Sequence, residues 1–239
     1  MRGIRPKYNL ICLIVFSLLV SCKKKQNEEA PDLGYDYYPA KVGSYIEYDV
    51  DSTAYTPLPV DTIVAKFRIK EVIEEEITDN QGRPALKIVR YKKNYSATVP
   101  YSAMNWTLQD VWTANKTNTT AEVVEENVRF VKLIFPVADA QTWNGNAQNT
   151  IGDWQYKYSE MDQPAAYNGL SFEKTVFITQ KKTLTALSNQ YYVEKYARGV
   201  GLIYREIIDV KSQNNIGVPI MNRIEEGVVY KQTVVAYQN

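Results

Sequence analysis

The stretch Thr62-Ile-Val-Ala-Lys-Phe-Arg-Ile-Lys-Glu-Val-Ile-Glu-Glu-Glu-Ile-Thr78 alternates between apolar and charged residues over most of its length. One parity carries the apolar side chains of Ile63, Ala65, Phe67, Ile69, Ile73 and Ile77, and the other carries Lys66, Arg68, Lys70, Glu74 and Glu76. A period of two is typical of a strand with one buried and one solvated face, whereas a helix needs apolar spacings of three and four. The stretch therefore predicts one long β-strand.

Turn-forming residues follow this strand directly. The segment Asp79-Asn-Gln-Gly-Arg-Pro84 contains Asn, Gly and Pro, which favour a chain reversal, and residues 86–95 then return with a second apolar segment. We expect the two segments to pair as a long antiparallel hairpin.

The same alternation recurs through the rest of the chain and predicts further strands. Trp106, Leu108 and Trp112 share one parity, residues 128–135 are apolar on both faces, and residues 228–237 form a closing strand; only residues 189–198 leave room for a helical turn or two. About ten strands with hairpin-type connections predict an antiparallel all-β fold with little helix. Because long strands curl as they twist, we expect a barrel-like or strongly curved sheet.

The first residues of the chain have the character of an export signal. The apolar run Leu10-Ile-Cys-Leu-Ile-Val-Phe-Ser-Leu-Leu-Val20 follows three basic residues and ends at Ser21-Cys22. This order of basic region, short apolar core and small residue is typical of a secretory signal, and the run is too short for a stable membrane span.

The end of that run, Leu19-Val-Ser-Cys22, resembles the lipobox of bacterial lipoproteins. The resemblance implies that residues 1–21 are removed and that Cys22 is acylated on its sulfur and on its new amino group. In that family an aspartate after the cysteine favours the inner membrane, and this chain has Lys23 instead. We therefore expect an outer-membrane lipoprotein that faces the periplasm or the cell surface.

The composition changes sharply after the proposed anchor. Residues 22–34 are charged and nearly free of apolar side chains, which predicts a disordered tether, and residues 35–239 are rich in aromatic and β-branched residues. The mature chain would have 218 residues (239 − 21), which suits a single all-β domain.

The composition also excludes several function classes. The sequence contains no histidine, and Cys12 and Cys22 are its two cysteines, so Ser-His-Asp, Cys-His and His-based zinc chemistry are excluded. After removal of three basic residues with the signal, 25 Lys and Arg face 27 Asp and Glu, which gives a charge near −2 and argues against nucleic-acid binding. We expect no metal and no cofactor.

Carboxylates occur in adjacent runs, and paired carboxylates could in principle hydrolyse glycans. The runs are Glu74-Glu75-Glu76, Glu125-Glu126 and Glu225-Glu226. Adjacent residues on a strand point to opposite faces, so no adjacent pair is itself a catalytic dyad. We interpret these runs as solvated strand edges and do not expect catalysis.

Three classes of function stay open at this point: a binding module for an apolar or glycan ligand, an assembly accessory that contacts an envelope protein, and a carboxylate-based glycan-active enzyme. The binding module is the first choice, with the membrane as a partner through the lipid anchor. If the curved sheet closes over a cavity, the candidate ligand-facing residues are Phe67, Ile69, Trp106 and Trp112.

Two further resemblances concern short motifs and longer blocks of the sequence. The motifs Asp51-Ser52-Thr53 and Asp61-Thr62-Ile63 resemble Bacteroidetes O-glycosylation sites, which makes Ser52 and Thr62 candidates for that modification. Three blocks resemble a family of uncharacterised Bacteroidetes lipoproteins, and the resemblance implies an exported, lipid-anchored β protein without an assigned activity. The blocks are Tyr37-Tyr-Pro-Ala-Lys-Val-Gly-Ser-Tyr-Ile-Glu-Tyr-Asp49, Val131-Lys-Leu-Ile-Phe-Pro136 with Trp143-Asn-Gly-Asn146, and Tyr196-Ala-Arg-Gly-Val-Gly-Leu-Ile-Tyr-Arg205.

Overall fold

The structure is a computed structural model that describes residues 30–57, 60–214 and 216–239. The chain divides into two units, Met1–Asp32 and Leu33–Asn239. Almost all of the first unit, including the proposed signal and Cys22, lies outside the described residues.

The described residues of the second unit form twelve strands and three short 3₁₀ turns. The strands are β1 Tyr45–Pro57, β2 Val60–Thr78, β3 Pro84–Asn94, β4 Thr107–Lys116, β5 Thr120–Glu125, β6 Val128–Ile134, β7 Thr142–Asn144, β8 Gln155–Tyr167, β9 Leu170–Leu184, β10 Ser188–Ala197, β11 Gly201–Lys211 and β12 Glu226–Gln238. The 3₁₀ turns are Tyr35–Tyr37, Tyr101–Ala103 and Ile220–Asn222. The all-β prediction is confirmed, with slightly more strands than expected.

All twelve strands belong to one antiparallel sheet in the order β6-β5-β4-β3-β2-β1-β12-β11-β10-β9-β8-β7. Consecutive strands are neighbours throughout, except that β12 pairs with β1 while β6 and β7 form the two ends of the sheet. The sheet is therefore an up-and-down barrel that is nearly closed and has one seam, between β6 and β7.

The hairpin predicted from the opening stretch is confirmed, because β2 pairs antiparallel with β3 from Phe67–Asn94 to Thr78–Pro84. The expected burial holds only in part: Ile69 is buried, but Ile63 is 55 % exposed because β3 ends before it reaches this part of β2. The helical turn expected in residues 189–198 is wrong. That segment is β10, whose pairing with both β9 and β11 overrides its weak local preference.

Two side chains and a single main-chain hydrogen bond close the described part of the seam between β6 and β7, where a regular ladder of main-chain hydrogen bonds is missing. The Val131 N–H donates to the Gly145 carbonyl at 2.8 Å, and Nε1 of Trp143 donates to the Val131 carbonyl at 2.8 Å. The Tyr158 hydroxyl accepts from the Ile134 N–H and donates to its carbonyl, each at 2.9 Å. The main-chain groups of Val131 and Ile134 at this edge are thereby satisfied, which blocks the pairing of this part of β6 with another chain.

Residues 33–44 close one end of the barrel. The side chain of Tyr37 is fully buried, and its hydroxyl donates to Asp162 at 2.7 Å. Nζ of Lys116 donates to the Tyr35 carbonyl at 2.8 Å. We call this end the N-terminal end. Because neighbouring strands are antiparallel, every connection from an odd- to an even-numbered strand lies at the opposite end, which we call the distal end.

The largest core cluster lies where the seam meets the N-terminal segment. It buries residues from all three blocks that carry the lipoprotein resemblance, and its aromatic rings include a Trp143–Tyr158 pair with centroids 4.4 Å apart. Its buried members are Tyr37, Ala121, Val131, Leu133, Phe135, Val137, Trp143, Tyr156, Tyr158, Val176, Ile178 and Tyr196.

We predict that Tyr158→Phe destabilises the domain by about 1–3 kcal/mol, because the Ile134 N–H and carbonyl each lose a partner in a buried setting. Chemical denaturation measures the change in free energy of unfolding. Tyr95→Phe is the matched control, since Tyr95 is 58 % exposed and should change stability by less than about 0.5 kcal/mol. Equal stabilities for the two variants would mean that the seam does not depend on the Tyr158 hydroxyl.

Candidate functional site

A cluster of four charged side chains fills the middle of the barrel. Lys132 lies 2.8 Å from Glu125 and 3.0 Å from Glu194, and Arg205 lies 2.8 Å from each of the same two carboxylates. Glu194 also accepts a hydrogen bond from the Tyr196 hydroxyl at 2.8 Å. The side chain of Glu194 is only 1 % exposed and that of Lys132 only 5 %. The two positive and two negative charges of the cluster thus balance one another, and their side chains have little contact with solvent.

This central cluster spans the barrel. Glu125 ends β5 and Arg205 lies in β11, and these strands are six steps apart in the order of the twelve-stranded sheet. The ion pair between Glu125 and Arg205 therefore joins opposite walls of the barrel directly. Long charged side chains occupy the space that a barrel of this strand number would otherwise leave open.

A second ion-paired row lies beside the central cluster on β2, β3 and β4. Arg90 lies 3.0 Å from Glu71 and 2.9 Å from Asp110, and its guanidinium carbon stands 3.6 Å from the ring centroid of Trp112. The guanidinium carbon of Arg205 is 6.0 Å from the same ring, so Trp112 lies between the row and the central cluster.

The electrostatic environment keeps the buried carboxylates ionised. Burial by itself raises the pKa of Glu125, but Arg205 and Lys132 outweigh burial and lower it to about 2. Burial likewise opposes ionisation of Glu194, and Lys132 and Arg205 lower its pKa. The pKa of Asp110 is raised, because burial there exceeds the effect of Arg90.

Among the described residues, the cavities beside the central cluster leave little space for a ligand. Two cavities of about 80 and 40 Å³ share Tyr38, Glu71, Ile88 and Leu202 in their walls. Pockets for drug-sized ligands measure about 300–1,000 Å³, whereas one water molecule needs about 10–15 Å³ of such space. The two cavities match a few water molecules in size.

The four candidate ligand-facing residues do not share one face. Ile69 is buried and Phe67 packs against the same cluster, under Nζ of Lys92 at 4.2 Å. Trp112 faces the same interior on β4. Trp106 lies on the outer face, where Nζ of Lys93 is 4.3 Å from its ring centroid.

A β-bulge separates Trp106 from Trp112. Asp110 pairs with Arg90 and Leu108 pairs with Tyr91, so Gln109 is an extra residue on β4. One extra residue reverses the facing of every side chain beyond it. Leu108 is accordingly 65 % exposed, although its parity matches that of Trp112, which is 7 % exposed.

The other predicted site residues fall in different places. Ser52 is half-buried on β1, and Thr62 is exposed on β2 with its N–H donating to the Asp61 carboxylate at 2.7 Å. Their modification stays a prediction, as does the acylation of Cys22, which lies outside the described residues.

One sequence interpretation is corrected by the structure. Glu125 was expected at a solvated edge with Glu126, yet its side chain is 15 % exposed and ion-paired to Lys132 and Arg205. Sequence reasoning missed the whole central cluster. The one available signal was a lysine in the middle of a segment that is apolar on both faces, which places Lys132 where water is scarce.

Exposed apolar side chains concentrate at the distal end. Among the described residues, eleven of the fourteen large apolar side chains that are exposed lie on connections of that end or on adjoining strand ends, whereas Val42 and Tyr237 lie at the N-terminal end. The eleven are Ile63, Val64, Tyr95, Val99, Leu108, Ile151, Leu184, Leu187, Ile216, Val218 and Met221.

Part of this set lines a groove with a volume of about 390 Å³, which we call the distal groove. Leu184 contributes from the end of β9, and Ile216, Val218 and Met221 contribute from the connection between β11 and β12. These side chains are 71, 65, 43 and 42 % exposed, respectively, and Ile220, which also lines the groove, is buried.

The walls of the distal groove are held together by Arg223. Its guanidinium donates to the carbonyl of Val218 at 2.7 Å, to those of Ser212 and Asn214 at 3.3 and 2.6 Å, and to that of Ala186. One side chain thus joins the β9–β10 turn to the β11–β12 connection, which makes the groove a preformed feature of the domain.

Other kinds of site are not evident in the part of the chain that the structure describes. Residues 30–57, 60–214 and 216–239 contain no group of three or more Cys, Asp or Glu placed to hold a metal ion. Within the same ranges, no helix has the length and apolarity required to cross a membrane.

Comparison with known proteins adds little. Neither a protein-family model nor a curated protein matches the sequence. A proposed exported protein with a YmcC-like fold from Bacteroides fragilis is 9 % identical, with a TM-score of 0.43 over 84 % of this chain and 98 % of its own. A proposed lipoprotein from Parabacteroides distasonis is 10 % identical, with a TM-score of 0.38 and the same coverage. At these TM-scores neither similarity supports an inference about this chain.

We predict that Arg205→Met destabilises the domain by about 3–5 kcal/mol, because it leaves Glu125 and Glu194 with only Lys132 between them. Arg68→Met is the matched control. Arg68 pairs with Asp49 at 2.8 Å on the outer face, where the two side chains are 24 and 43 % exposed, and the loss should not exceed about 1 kcal/mol. Thermal and urea unfolding of both variants would show whether the central cluster is structural; similar losses in the two would contradict this.

Proposed function

We propose that this protein is a lipid-anchored component of the bacterial cell envelope that acts by contact with another protein. The proposal takes the second of the three sequence alternatives. The observation that carries it is the distribution of exposed apolar side chains, which gather at the end opposite the N-terminal segment. Concentrated apolar surface on a soluble domain is typical of interaction sites.

The geometry of the interior supports surface contact over an internal ligand site. The central cluster joins opposite walls of the barrel, and the two cavities near it measure about 80 and 40 Å³. An apolar or glycan ligand of ordinary size would need several times this space, and entry would require breaking buried ion pairs.

The carboxylates also fit a structural role better than glycan hydrolysis. A general acid in that reaction needs a raised pKa and an unpaired carboxyl group. Glu125 and Glu194 are instead both bound to Arg205 and Lys132, and their pKa values are lowered. Asp110 has a raised pKa but is ion-paired to Arg90 at 2.9 Å.

The sequence supports a membrane anchor ahead of the domain. The chain enters the barrel at the N-terminal end, so a tether from an anchor at Cys22 would join the domain at that end. The lipobox resemblance supports the anchor, and Lys23 supports the outer membrane.

We expect Cys22→Ser to release the protein from the membrane fraction. Each buried CH₂ of an acyl chain contributes about 0.8 kcal/mol to membrane binding, and two or more chains anchor stably. Fractionation followed by a high-salt wash measures the release, with the unaltered chain as control. Retention of the variant in the washed membranes would rule out an anchor at Cys22.

A photo-crosslinking amino acid at Leu184 should give a discrete higher-mass adduct in the envelope of the producing cell, because this position is 71 % exposed at the distal end. The same amino acid at Val42, 45 % exposed at the N-terminal end, is the control and should give no such adduct. Immunoblotting after illumination measures both. Absence of an adduct at Leu184, or the same adduct at both positions, would contradict action by contact at the distal end.

A further inference from the structure

We propose that the distal part of β2 binds an extended segment of a partner protein as an added β-strand. This inference rests on the proposed function and names the surface and the chemistry of the partner. The surface is formed by residues 62–66, which we call the open edge. Among the described residues, this part of β2 has a neighbouring strand only on its β1 side, because the pairing of β2 with β3 begins at Phe67 and Asn94.

The open edge exists because the chain leaves the sheet at the end of β3. The Tyr95 N–H donates to the Lys66 carbonyl at 2.9 Å, just beyond the paired part of β3. The Ser96 hydroxyl then accepts hydrogen bonds from the N–H groups of Thr98 and Val99, each at 3.2 Å. A turn at this point ends the ladder, so the rest of β2 toward the distal end is not covered by β3.

The main-chain groups of β2 alternate in direction, and this alternation shows which of them are available. The Ile73 N–H donates to the Ser44 carbonyl on the β1 side at 3.0 Å, whereas the Lys66 carbonyl accepts on the β3 side. The pairing of β1 with β2 has no bulge, so every second residue of β2 points the same way. The main-chain groups of Thr62 and Val64 therefore point away from β1, to the uncovered side.

The side chains of the open edge are apolar on both faces of the strand. Ile63 is 55 % exposed and Val64 is 66 % exposed, and successive strand residues point to opposite faces. The Thr62 N–H donates to the Asp61 carboxylate at 2.7 Å, which closes one end of the edge. Proteins usually protect an edge with charges, proline or a bulge, and residues 62–65 contain none of these. The open edge is thus a template for strand addition.

The strands behind the open edge hold it in place. β1 pairs with β2 as far as Pro57 and Val60, and β1 pairs with β12 as far as Tyr55 and Gly227. β12 in turn pairs with β11 at the same level, where Gly227 is opposite Val210. A strand that is already ordered by three others loses little conformational entropy when a partner pairs with it.

The available groups specify the chemistry of the partner. Main-chain donors and acceptors at a sheet edge pair with another extended main chain, and the alternate side chains of that chain provide specificity. Residues 62–66 span about 17 Å, which suits a segment of about five to seven residues. β-branched side chains of the partner would pack beside Ile63 and Ala65 on one face and beside Val64 on the other.

Two other occupants fit less well. Residues 22–34 of the same chain contain no β-branched side chain and are mostly charged or polar, so they are poor strand formers. A second copy in antiparallel pairing about Val64 would point the two barrels in opposite directions. Pairing over five residues also covers only part of the about 800 Å² per partner that a stable dimer buries.

The test uses the full acylated chain in phosphatidylcholine nanodiscs and a labelled peptide, Ser-Thr-Val-Thr-Val-Thr-Ser. The control peptide carries N-methyl groups on two adjacent central residues, which block both of its edges. Fluorescence anisotropy should show at least tenfold tighter binding of the unmethylated peptide, with empty nanodiscs as the blank. Hydrogen exchange followed by mass spectrometry should slow at least tenfold in residues 62–66 when this peptide is added, and should not change in residues 185–187.

A proline variant tests the main chain of the open edge directly. Val64→Pro removes the N–H that points to the uncovered side and should weaken binding of the unmethylated peptide at least tenfold. Proline is tolerated on an edge strand where the N–H faces solvent, so the melting temperature should not change. Val64→Thr is the matched control, because it keeps the N–H and a β-branched side chain, and its binding should stay within threefold of the unaltered chain.

Equal binding of the two peptides, no binding, slowed exchange only outside residues 62–66, or binding that survives Val64→Pro would overturn the inference. Dimers in light scattering that Val64→Pro disperses would overturn it in favour of a second copy. A discrete adduct from Leu184 together with failure of the unmethylated peptide would leave the proposed function standing and reject only this inference.

Discussion

The ion pair between Glu125 and Arg205 across the barrel is the constraint on which the rest of the interior depends. It joins β5 to β11 directly, and Lys132 and Glu194 complete a neutral group of four with few solvent contacts. A buried charge without its partner is strongly unfavourable, so each member fixes the position of the others. The walls that carry them are thereby held at a set separation, and the tyrosines around them fill what space is left.

The seam between β6 and β7 shows how the barrel stays closed without a full ladder. Trp143, Tyr158 and the main chain of Gly145 satisfy the edge of β6, and the N-terminal segment covers the adjoining end through Tyr37. The protein therefore has polar contacts, in place of strand pairing, at the one position where the sheet is interrupted. Closure at the seam and the neutral centre together leave only small cavities beside the central cluster of the described residues.

The two ends of the barrel differ for a reason that follows from connectivity. At the N-terminal end, the segment that leads to the proposed anchor packs over part of the barrel, and of the fourteen exposed large apolar side chains in the described residues only Val42 and Tyr237 lie there. The distal end has the longer connections, and Arg223 shows that at least one of them is rigid. A long connection that is held in place while exposing Ile216 and Met221 is difficult to explain by folding alone, because burying these groups would stabilise the domain.

The sequence by itself determined most of the strands, since side-chain alternation is a local property: it predicted the β2–β3 hairpin, the β6 strand and the all-β class correctly, but not β10. Only the tertiary structure decided which side chains meet. Trp106 and Trp112 share a parity, yet the extra residue Gln109 turns them to opposite faces. Glu125 and Arg205 are 80 residues apart and become partners only when the sheet rolls up. Bulges and long-range pairings depend on the whole sheet, and no local period in the chain records them.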